Sequence, residues 1–306
     1  MGAGAALAEA ARAVANTAGP SVVRIGQHGG RGCGVVIGDG LVLTNAHNLR
    51  DGTTQVTFAD GRAVQAAAAG VDVDGDIAVL SVDTAGAPTI QWADAAPVAG
   101  DLAFALTQPA RGGTRITFGM VSGVERAFRG PRGRRVSGSV EHTAPLARGS
   151  SGSALVDEDG RLIGINTNRL GEGFYLALPT DADLRSRVDA LGRGESPARV
   201  TLGVGLAPAT VARKLRASVG LPERDGLLVR VVQDGSPAAT AGIRQGDLIV
   251  AAGGAPVTNV DDLYDVLDAS ATTGTLVLLV VRGTDELEVR VSFAEDGEAA
   301  ADEGSV

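Results

Sequence analysis

Cysteine, aromatic residues and histidine are all scarce in this chain of 306 residues. Cys33 is the single cysteine, which excludes internal disulfides and metal sites built from several thiolates, and we expect it to act as a small buried hydrophobe. Aromatic residues make up 3% against 44 glycines, so any core must be built from Val, Leu, Ile and Ala. His28 and His142 lack the spacing of a metal-binding motif, and we expect neither a metal nor a cofactor.

Long apolar runs and a basic surplus are missing as well. The longest obvious run, residues 276–281, has the length of a strand, far below the ~18 residues that predict a membrane span. No basic start precedes an apolar block at the N-terminus, so we expect no secretory signal in this chain. The net charge of −9 argues against a general nucleic-acid binder, and the acidic segment 295–306 is predicted to be disordered.

Composition divides the rest of the chain into four segments. Residues 1–17 are rich in alanine and predict a helix that ends before Gly19-Pro20. Residues 18–192 hold many short runs of Val, Ile and Leu separated by Gly and Asp turns, which predict a barrel or a sandwich. Residues 193–199 have the composition of a linker. Residues 200–294 combine four strand patterns with two short helical patterns and predict a second, α+β unit.

Three residues of the first unit carry the groups that nucleophilic acyl transfer needs. His47 follows a β-run, Asp76 stands in an acidic turn before an apolar strand, and Ser151 stands in a turn of small residues. The reaction needs a hydroxyl, an imidazole that takes its proton and a carboxylate that holds the imidazole tautomer. Taken singly, the three are explained as a solvated loop histidine, a turn aspartate and a Gly-Ser bend. Together, in the chymotrypsin-like order and on a β-rich chain, they indicate a serine hydrolase.

The turn around Ser151 also suits an oxyanion hole, because glycine close before a nucleophile lets backbone N–H groups approach the developing charge. Gly149, Ser150 and Ser151 form this turn. An α/β-hydrolase would place the serine in G-x-S-x-G between a strand and a helix, ahead of the histidine. Here the serine comes last and a strand pattern follows it, which excludes that alternative.

The motifs TNAHN, DIAVL and GSSGSAL resemble the three catalytic motifs of the HtrA (DegP-like) serine proteases. In the second unit, TLGVGL, GLLVRVV, GSPAATAGIRQGDLIVAAGGAPV and DDLYDVL are similar to the PDZ domain of that family, so the resemblance covers about residues 18–293. It implies a mostly β fold, with a trypsin-like double β-barrel in two six-stranded halves followed by a PDZ domain. It assigns His47 as general base, Asp76 as its orienting carboxylate, Ser151 as nucleophile and the N–H groups of Gly149 and Ser151 as oxyanion donors.

The same resemblance implies an ATP-independent endopeptidase of protein quality control and stress response. Its substrates would be unfolded or damaged polypeptides, and the PDZ domain would bind peptide C-termini or extended segments. A homotrimer and a periplasmic or membrane-associated location are further expectations, although residues 1–19 lack the aromatic that packs the family's trimers. Two alternatives are a non-catalytic peptide-binding or chaperone relative and a scaffold that works only through its PDZ domain.

The nucleophile motif departs from the usual pattern of the family. Ser150, Ser153 and Ala154 stand where that pattern has Asn, Gly and Pro. Upstream, His142-Thr143-Ala144 and Leu146-Ala147-Arg148 stand where the family tends to have Thr-Asp-Ala and Ile-Asn-Pro. The replacements in the motif are all small, so we expect the turn itself to form.

Two binding regions follow from the resemblance. The specificity pocket is predicted to be lined by Leu146 and by the strand residues Ile165, Asn166 and Thr167. No acid occurs in residues 145–148, so the pocket favours small to medium aliphatic side chains over Lys or Arg. In the PDZ unit, the predicted site for a terminal carboxylate consists of Leu202, Gly203 and Val204, beside the helical pattern at 260–267.

Two charged segments have no assigned role. Five arginines crowd one stretch of the first unit: Arg126, Arg129, Arg132, Arg134 and Arg135. A solvated hairpin explains them best, and a second hypothesis is that they contact the acidic tail. The terminal Val306 suits a PDZ groove, which makes self-binding of this end a further hypothesis.

Overall fold

The computed structural model describes residues 2–27, 31–50, 52–110, 113–129, 135–171, 173–196, 200–270 and 273–293. The chain divides into two compact units, Met1–Pro197 and Ala198–Val306. His28, Arg132, Arg134 and the acidic tail lie outside the described residues, so the hypotheses about them remain untested. Arg126 is described, and its Nε lies 3.5 Å from a carboxylate oxygen of Glu141.

The first unit begins with helix α1, Ala3–Thr17. Its apolar residues Leu7, Ala10, Ala11 and Val14 follow the i, i+3, i+4, i+7 spacing that places them on one helical face. Val14 is fully buried in the main core of the unit and the other three pack against that core. The alanine-rich segment is therefore held to the unit by one apolar stripe.

Six strands then close into a barrel in which all neighbouring strands are antiparallel. They are β1 Val22–Ile25, β2 Gly32–Gly38, β3 Leu41–Thr44, β4 Thr53–Thr57, β5 Ala63–Asp72 and β6 Ile77–Ser81. The order around the barrel is β1-β2-β3-β6-β5-β4, so β3 lies beside β6. This neighbourhood brings together the end of β3, after which His47 follows, and the start of β6, which Asp76 precedes.

Six further strands close into a second antiparallel barrel. They are β7 Leu102–Thr107, β8 Arg115–Arg129, β9 Arg135–His142, β10 Ala154–Val156, β11 Leu162–Gly171 and β12 Phe174–Pro179. Helix α2, Ala182–Gly192, follows, and Asp181 caps it by accepting a hydrogen bond of 2.8 Å from the N–H of Leu184. The mostly β fold with two six-stranded barrels is confirmed.

The second unit is a sheet with three helices among its described residues. Its elements are β13 Val204–Ala207, α3 Ala209–Ser218, β14 Leu227–Val232, α4 Pro237–Thr240, β15 Leu248–Ala252, β16 Ala255–Pro256, α5 Val260–Ser270, β17 Thr275–Arg282 and β18 Asp285–Ser292. The sheet order is β13-β14-β15-β17-β18, with β16 paired to β15. Strand β13 therefore forms one edge of the sheet.

Helix α3 is an addition to the two helices predicted from the sequence of this unit. Its Ala212 and Arg216, at i and i+4, are buried, and the Arg216 guanidinium donates hydrogen bonds to the carbonyls of Pro222 and Gly283 at 3.1 and 3.2 Å. One of the two buried positions of this helix is an arginine, so the sequence lacks the regular spacing of apolar residues from which a helix is predicted. Within the described residues, no helix combines the length and apolar character that crossing a membrane requires.

Candidate active site and peptide groove

His47 and Asp76 form a close pair in the first barrel. A 3₁₀ turn, Ala46–Asn48, carries the histidine just after β3, and Nδ1 of its ring lies 2.9 Å from each carboxylate oxygen of Asp76. The backbone N–H of His47 also donates to Asp76 Oδ1 at 3.1 Å. With Nδ1–H donated to the carboxylate, Nε2 is the free acceptor that a general base requires. The Asp76 side chain is 1% exposed and that of His47 is 29% exposed, so the ring edge faces solvent.

The backbone of Asp76 is held in a conformation that non-glycine residues avoid. Its φ is +55°, in the left-handed region, which costs about 1–3 kcal/mol. The fully buried Asn45 donates a hydrogen bond of 2.9 Å to the Asp76 carbonyl. From the second barrel, the Thr167 hydroxyl donates to Asp76 Oδ2 at 2.8 Å. These contacts hold the strained carboxylate against the imidazole.

Ser151 lies in the turn before β10, and its peptide is tied to the first barrel. Its carbonyl accepts hydrogen bonds from the N–H of Cys33 at 2.7 Å and from the side-chain amide of Asn48 at 2.9 Å. Gly152 has a φ of +84°, and a Cβ at this position would overlap the carbonyl oxygen of Cys33. The glycine therefore allows the close approach of the serine turn to β2.

The side chain of Ser151 is turned away from His47. Its hydroxyl donates a hydrogen bond of 3.1 Å to the carbonyl oxygen of Thr167. Among the described residues, no hydrogen bond joins the Ser151 hydroxyl to His47. The three residues predicted from the sequence are thus brought to one place, with the Ser151 hydroxyl bonded to Thr167.

The turn Gly149-Ser150-Ser151 leaves its donors open. In the described residues, no acceptor binds the backbone N–H groups of Gly149, Ser150 or Ser151. The carbonyls are occupied: that of Ser150 accepts from the N–H of Ser153 at 3.0 Å, and that of Gly149 accepts from Cys33 Sγ at 3.5 Å. Such a turn presents N–H groups, rather than carbonyl oxygens, to an incoming anion.

A cavity of about 240 Å³ opens beside Ser151, and its lining consists of Leu146, Ala147, Arg148, Gly149, Ser150, Ser151, Thr167 and Tyr175. Leu146 and Thr167 were expected there. Ile165 and Asn166 do not line it: Ile165 is fully buried in the main core, and Asn166 is fully buried in a polar network. Both were assigned as part of the strand that carries Thr167, but the pairing of β11 with β12 shifts register between Asn166 and Asn168, so the regular alternation of side chains is interrupted at Thr167. Tyr175, from the neighbouring strand β12, was missed.

The polar network behind the cavity joins three fully buried side chains. Nε2 of His142 lies 2.9 Å from Asn166 Oδ1, and Asn166 Nδ2 donates to Ser153 Oγ at 2.9 Å. Burial lowers the pKa of His142 to about 4, so the ring is neutral at pH 7. Ser153, which departs from the usual motif of the family, thus has a partner for its hydroxyl.

Cys33 lies under the nucleophile turn. It is 2% exposed, and burial raises the pKa of its thiol to about 11, so the sulfur stays protonated. Its Sγ accepts from the N–H of Gln108 at 3.5 Å and donates to Gly149 at the same distance. No group of three or more potential metal ligands occurs in the described part of the chain.

The second unit has its own groove, of about 420 Å³, between β13 and α5. Val204, Leu206, Val260, Leu263 and Leu267 supply most of its apolar lining. The Leu202 side chain is 3% exposed and packs in the core of the unit, so only its backbone is available to a ligand.

Leu202 and Gly203 begin the edge of this groove. Gly203 has a φ of +74°, and its carbonyl accepts from the N–H of Gln233 at 2.8 Å. The Leu202 carbonyl accepts from the N–H of Ala238 at 3.0 Å. In the described part of this unit, the N–H groups of Leu202 and Gly203 have no acceptor. Paired carbonyls and open N–H groups are what a carboxylate site requires.

Comparisons with known proteins identify the family of each unit. A family model described as a trypsin-like peptidase domain matches residues 32–165, and one described as a PDZ domain matches residues 228–282. The serine endoprotease DegS of Escherichia coli (strain K12) is 30% identical over 276 residues, which cover 86% of this chain and 76% of DegS. The chain belongs to the HtrA/DegS family of serine proteases. The family, the PDZ domain and the serine protease function predicted from the sequence are thereby confirmed.

Other members of the HtrA/DegS family match over a similar length. HhoA of Synechocystis sp. (strain ATCC 27184 / PCC 6803 / Kazusa) is 32% identical over 291 residues, 87% of this chain and 71% of HhoA. HhoB of the same organism is 30% identical, and the chain spans 64% of its length. The solved serine endoprotease from Yersinia pestis is 28% identical, with a TM-score of 0.66 over 92% of this chain and 96% of that chain. The HtrA-type protease AlgW, solved with a decapeptide, shares the fold at 23% identity and a TM-score of 0.66, over 92% of this chain and 97% of its own.

Proposed function

We propose that this HtrA/DegS-family protease cleaves unfolded polypeptides through an acyl-enzyme on Ser151. The proposal rests on one observation: Thr167 is hydrogen-bonded both to the Asp76 carboxylate, through its hydroxyl, and to the Ser151 hydroxyl, through its carbonyl. Nδ1 of His47 lies 2.9 Å from both oxygens of the same carboxylate. The arrangement supports base, orienting carboxylate and nucleophile roles for these residues.

The first chemical step begins with rotation of the Ser151 side chain from Thr167 to Nε2 of His47. Hydrogen bonds of this kind often form only in the substrate complex. Oγ then attacks the peptide carbonyl, Nε2 takes the hydroxyl proton, and the oxyanion accepts hydrogen bonds from the open N–H groups of Gly149 and Ser151. His47 gives its proton to the leaving amine as the C–N bond breaks.

A water molecule completes the cycle. His47 takes one of its protons while the oxygen attacks the acyl carbon, and it returns that proton to Oγ as the ester bond breaks. The Asp76 carboxylate stabilises the imidazolium that forms in each half of the reaction.

The substrate would be selected at two places. The cavity beside Ser151 contains no carboxylate among its lining residues, which favours aliphatic over basic side chains before the scissile bond. The groove of the second unit would bind a peptide C-terminus, with the backbone of Leu202, Gly203 and Val204 holding the carboxylate and the free edge of β13 pairing with the peptide. The decapeptide of AlgW belongs to that protein and shows that this fold accommodates a peptide.

The protein is also proposed to form a homotrimer, on the basis of its family alone.

The second candidate is a peptide-binding relative that no longer cleaves, and the turned-away Ser151 hydroxyl favours it. Digestion of denatured casein separates the two functions. We expect the wild type and Ser81→Ala, which changes an exposed serine on β6, to digest casein, and Ser151→Ala to leave it intact. A fluorophosphonate probe should label the two active proteins alone. Folded wild-type protein that neither digests casein nor reacts with the probe would support the binding candidate.

A further inference from the structure

The turn that carries Asp76 is held from outside by helix α2. The turn consists of residues 73–76, which join β5 to β6, and its last residue, Asp76, has a φ of +55°. A residue in such a strained conformation keeps it only where the surrounding structure holds it. We propose that Arg187 of α2 is a positioning residue, which binds Asp72 and thereby keeps the Asp76 carboxylate against His47. The inference rests on the proposed function and adds a residue that acts on the reaction through another.

Asp72 binds the turn with one carboxylate oxygen and Arg187 with the other. Its Oδ1 accepts a hydrogen bond of 2.8 Å from the N–H of Gly75, and its Oδ2 lies 3.2 Å from Nη1 of Arg187. The Asp72 side chain is 11% exposed, so its charge is largely removed from water and depends on these partners. Because Gly75 immediately precedes Asp76, the hydrogen bond to Gly75 constrains the backbone that leads into the strained residue.

The guanidinium of Arg187 also packs on the backbone of the turn. A Cβ at Gly75 would overlap both Nη1 of Arg187 and Oδ2 of Asp72. The φ of Gly75 lies outside the left-handed region, so this position needs glycine for space and not for its conformation. The charged end of Arg187 therefore contacts the turn at the residue before Asp76.

Neighbouring contacts hold the end of β5 to the same helix. A Cβ at Gly70 would overlap the backbone of Leu191, which shows how closely β5 approaches α2. The hydroxyl of Ser196, in the segment after α2, accepts a hydrogen bond of 3.0 Å from the N–H of Val71. The last three residues of β5 thus all contact α2 or the segment that follows it, and Asp72 extends this contact to the turn.

The alternative is that Arg187 only anchors the helix. It also lies 3.0 Å from the exposed Asp183, one helical turn earlier, and its Nε is buried without a hydrogen-bond partner among the described residues. A buried donor without a partner lowers stability. Helix α2 already has three buried apolar residues as anchors, Leu184, Val188 and Leu191. The contact with the turn explains the arginine better than anchoring does.

The kinetic test measures initial rates of digestion of fluorescently labelled denatured casein by the full chain. Arg187→Met keeps the length of the side chain and removes the ion pair. We expect kcat to fall about 10- to 100-fold with KM unchanged, because a displacement of ~1 Å that originates far from the chemistry can cost ~10²-fold. Arg187→Lys retains a charge for Asp72 and should restore most of kcat. Asp183→Asn removes only the exposed partner and should behave as the wild type.

A spectroscopic signal tests the geometry without turnover. In the full Ser151→Ala chain, the Nδ1 proton of His47, hydrogen-bonded to Asp76, should give a low-field resonance in proton NMR. The resonance is assigned by its loss when His47→Gln is added. We expect Arg187→Met to weaken or shift it. A merely structural Arg187 would lower the midpoint of urea unfolding and leave both kcat and the resonance unchanged.

A second variant keeps the test decisive if Arg187→Met does not fold. In Asp72→Asn the amide oxygen still accepts from the N–H of Gly75, and the charge that faces Arg187 is gone, so kcat should fall in the same direction. A folded variant of either kind with wild-type kcat overturns the inference.

The outcomes separate this inference from the proposed function. Failure of the folded wild type to digest casein overturns the proposed function, and the resonance in the Ser151→Ala chain then decides the inference by itself. A resonance that Arg187→Met leaves unchanged overturns the inference in that case. Absence of both digestion and resonance overturns both.

Discussion

The Ser151 hydroxyl donates its hydrogen bond to the carbonyl of Thr167, at 3.1 Å, and not to His47. The Thr167 hydroxyl donates in turn to the buried Asp76 carboxylate, at 2.8 Å. One residue of β11 therefore contacts both the Ser151 hydroxyl and the carboxylate that is paired with His47. In the proposed mechanism the Ser151 side chain rotates toward His47, while the His47–Asp76 pair is already assembled.

Thr167→Val tests the hydroxyl of this residue. It removes the hydrogen bond to a buried carboxylate and leaves the backbone carbonyl in place, so we expect kcat to fall about 10- to 100-fold, because leaving such a group unsatisfied costs ~1–3 kcal/mol. Asp76→Asn should cost about 10⁴-fold, since the imidazole then adopts the wrong tautomer. Thr53→Val, at an exposed position on β4, is the matched control. A Thr167→Val enzyme with wild-type kcat would show that Asp76 does not need this contact.

Gly152→Ala tests the close approach of the nucleophile turn to β2. The added Cβ meets the Cys33 carbonyl and also stands at a φ of +84°, so both stability and activity should be lost. Gly86→Ala, at a φ of +77° with open space around it, carries only the conformational strain of about 1–2 kcal/mol. The midpoints of urea unfolding and the rate of casein digestion compare the two. Equal loss in both variants would mean that the contact with Cys33 is not limiting.

Because His142 is buried, we expect the free energy of unfolding to decrease in mild acid. Burial lowers its pKa from 6.5 to about 4 in the native state, so the unfolded chain binds the proton more tightly. The contribution of His142 to the free energy of unfolding is complete above about pH 6.5, and it is lost as the pH falls from about 6.5 to about 4. The difference between the two pKa values corresponds to about 3 kcal/mol in total.

Urea unfolding at pH 7.5, 6.0 and 5.0 measures this effect on a Ser151→Ala background, which prevents self-digestion. His142→Gln should remove the steep part of the pH dependence between pH 6.5 and 5, because few carboxylates titrate in that range. If both proteins lose stability in parallel, another group is responsible.

The groove of the second unit predicts recognition of a free C-terminus. With the full Ser151→Ala chain, a fluorescent peptide that ends in a free apolar residue should bind at least about tenfold more tightly than its amidated form, because the open N–H groups of Leu202 and Gly203 need a carboxylate. Val260→Glu, in the lining, should weaken binding, and Val211→Glu, exposed on α3, should not. Equal affinity of the free and amidated peptides would contradict carboxylate recognition.

Local patterns in the sequence predicted most of the elements that carry the candidate site. The runs before His47 and after Asp76 and Ser151 are rich in Val, Ile and Leu, and they form β3, β6 and β10. Strand β5 was not predicted, because four consecutive alanines at 66–69 have low β propensity. Pairing with β4 on one side and β6 on the other imposes the strand there.

The amino-acid order by itself determined the family and the two units, and it predicted His47, Asp76 and Ser151 as the site residues. Short motifs and hydrophobic periods are formed by residues that are neighbours in the chain. Only the tertiary structure decided which side chains meet across strands. Tyr175 reaches the cavity, Ile165 turns into the core, and the Ser151 hydroxyl rests on Thr167. Such contacts depend on strand register and rotamers, which are set when non-local strands pair and the barrel closes.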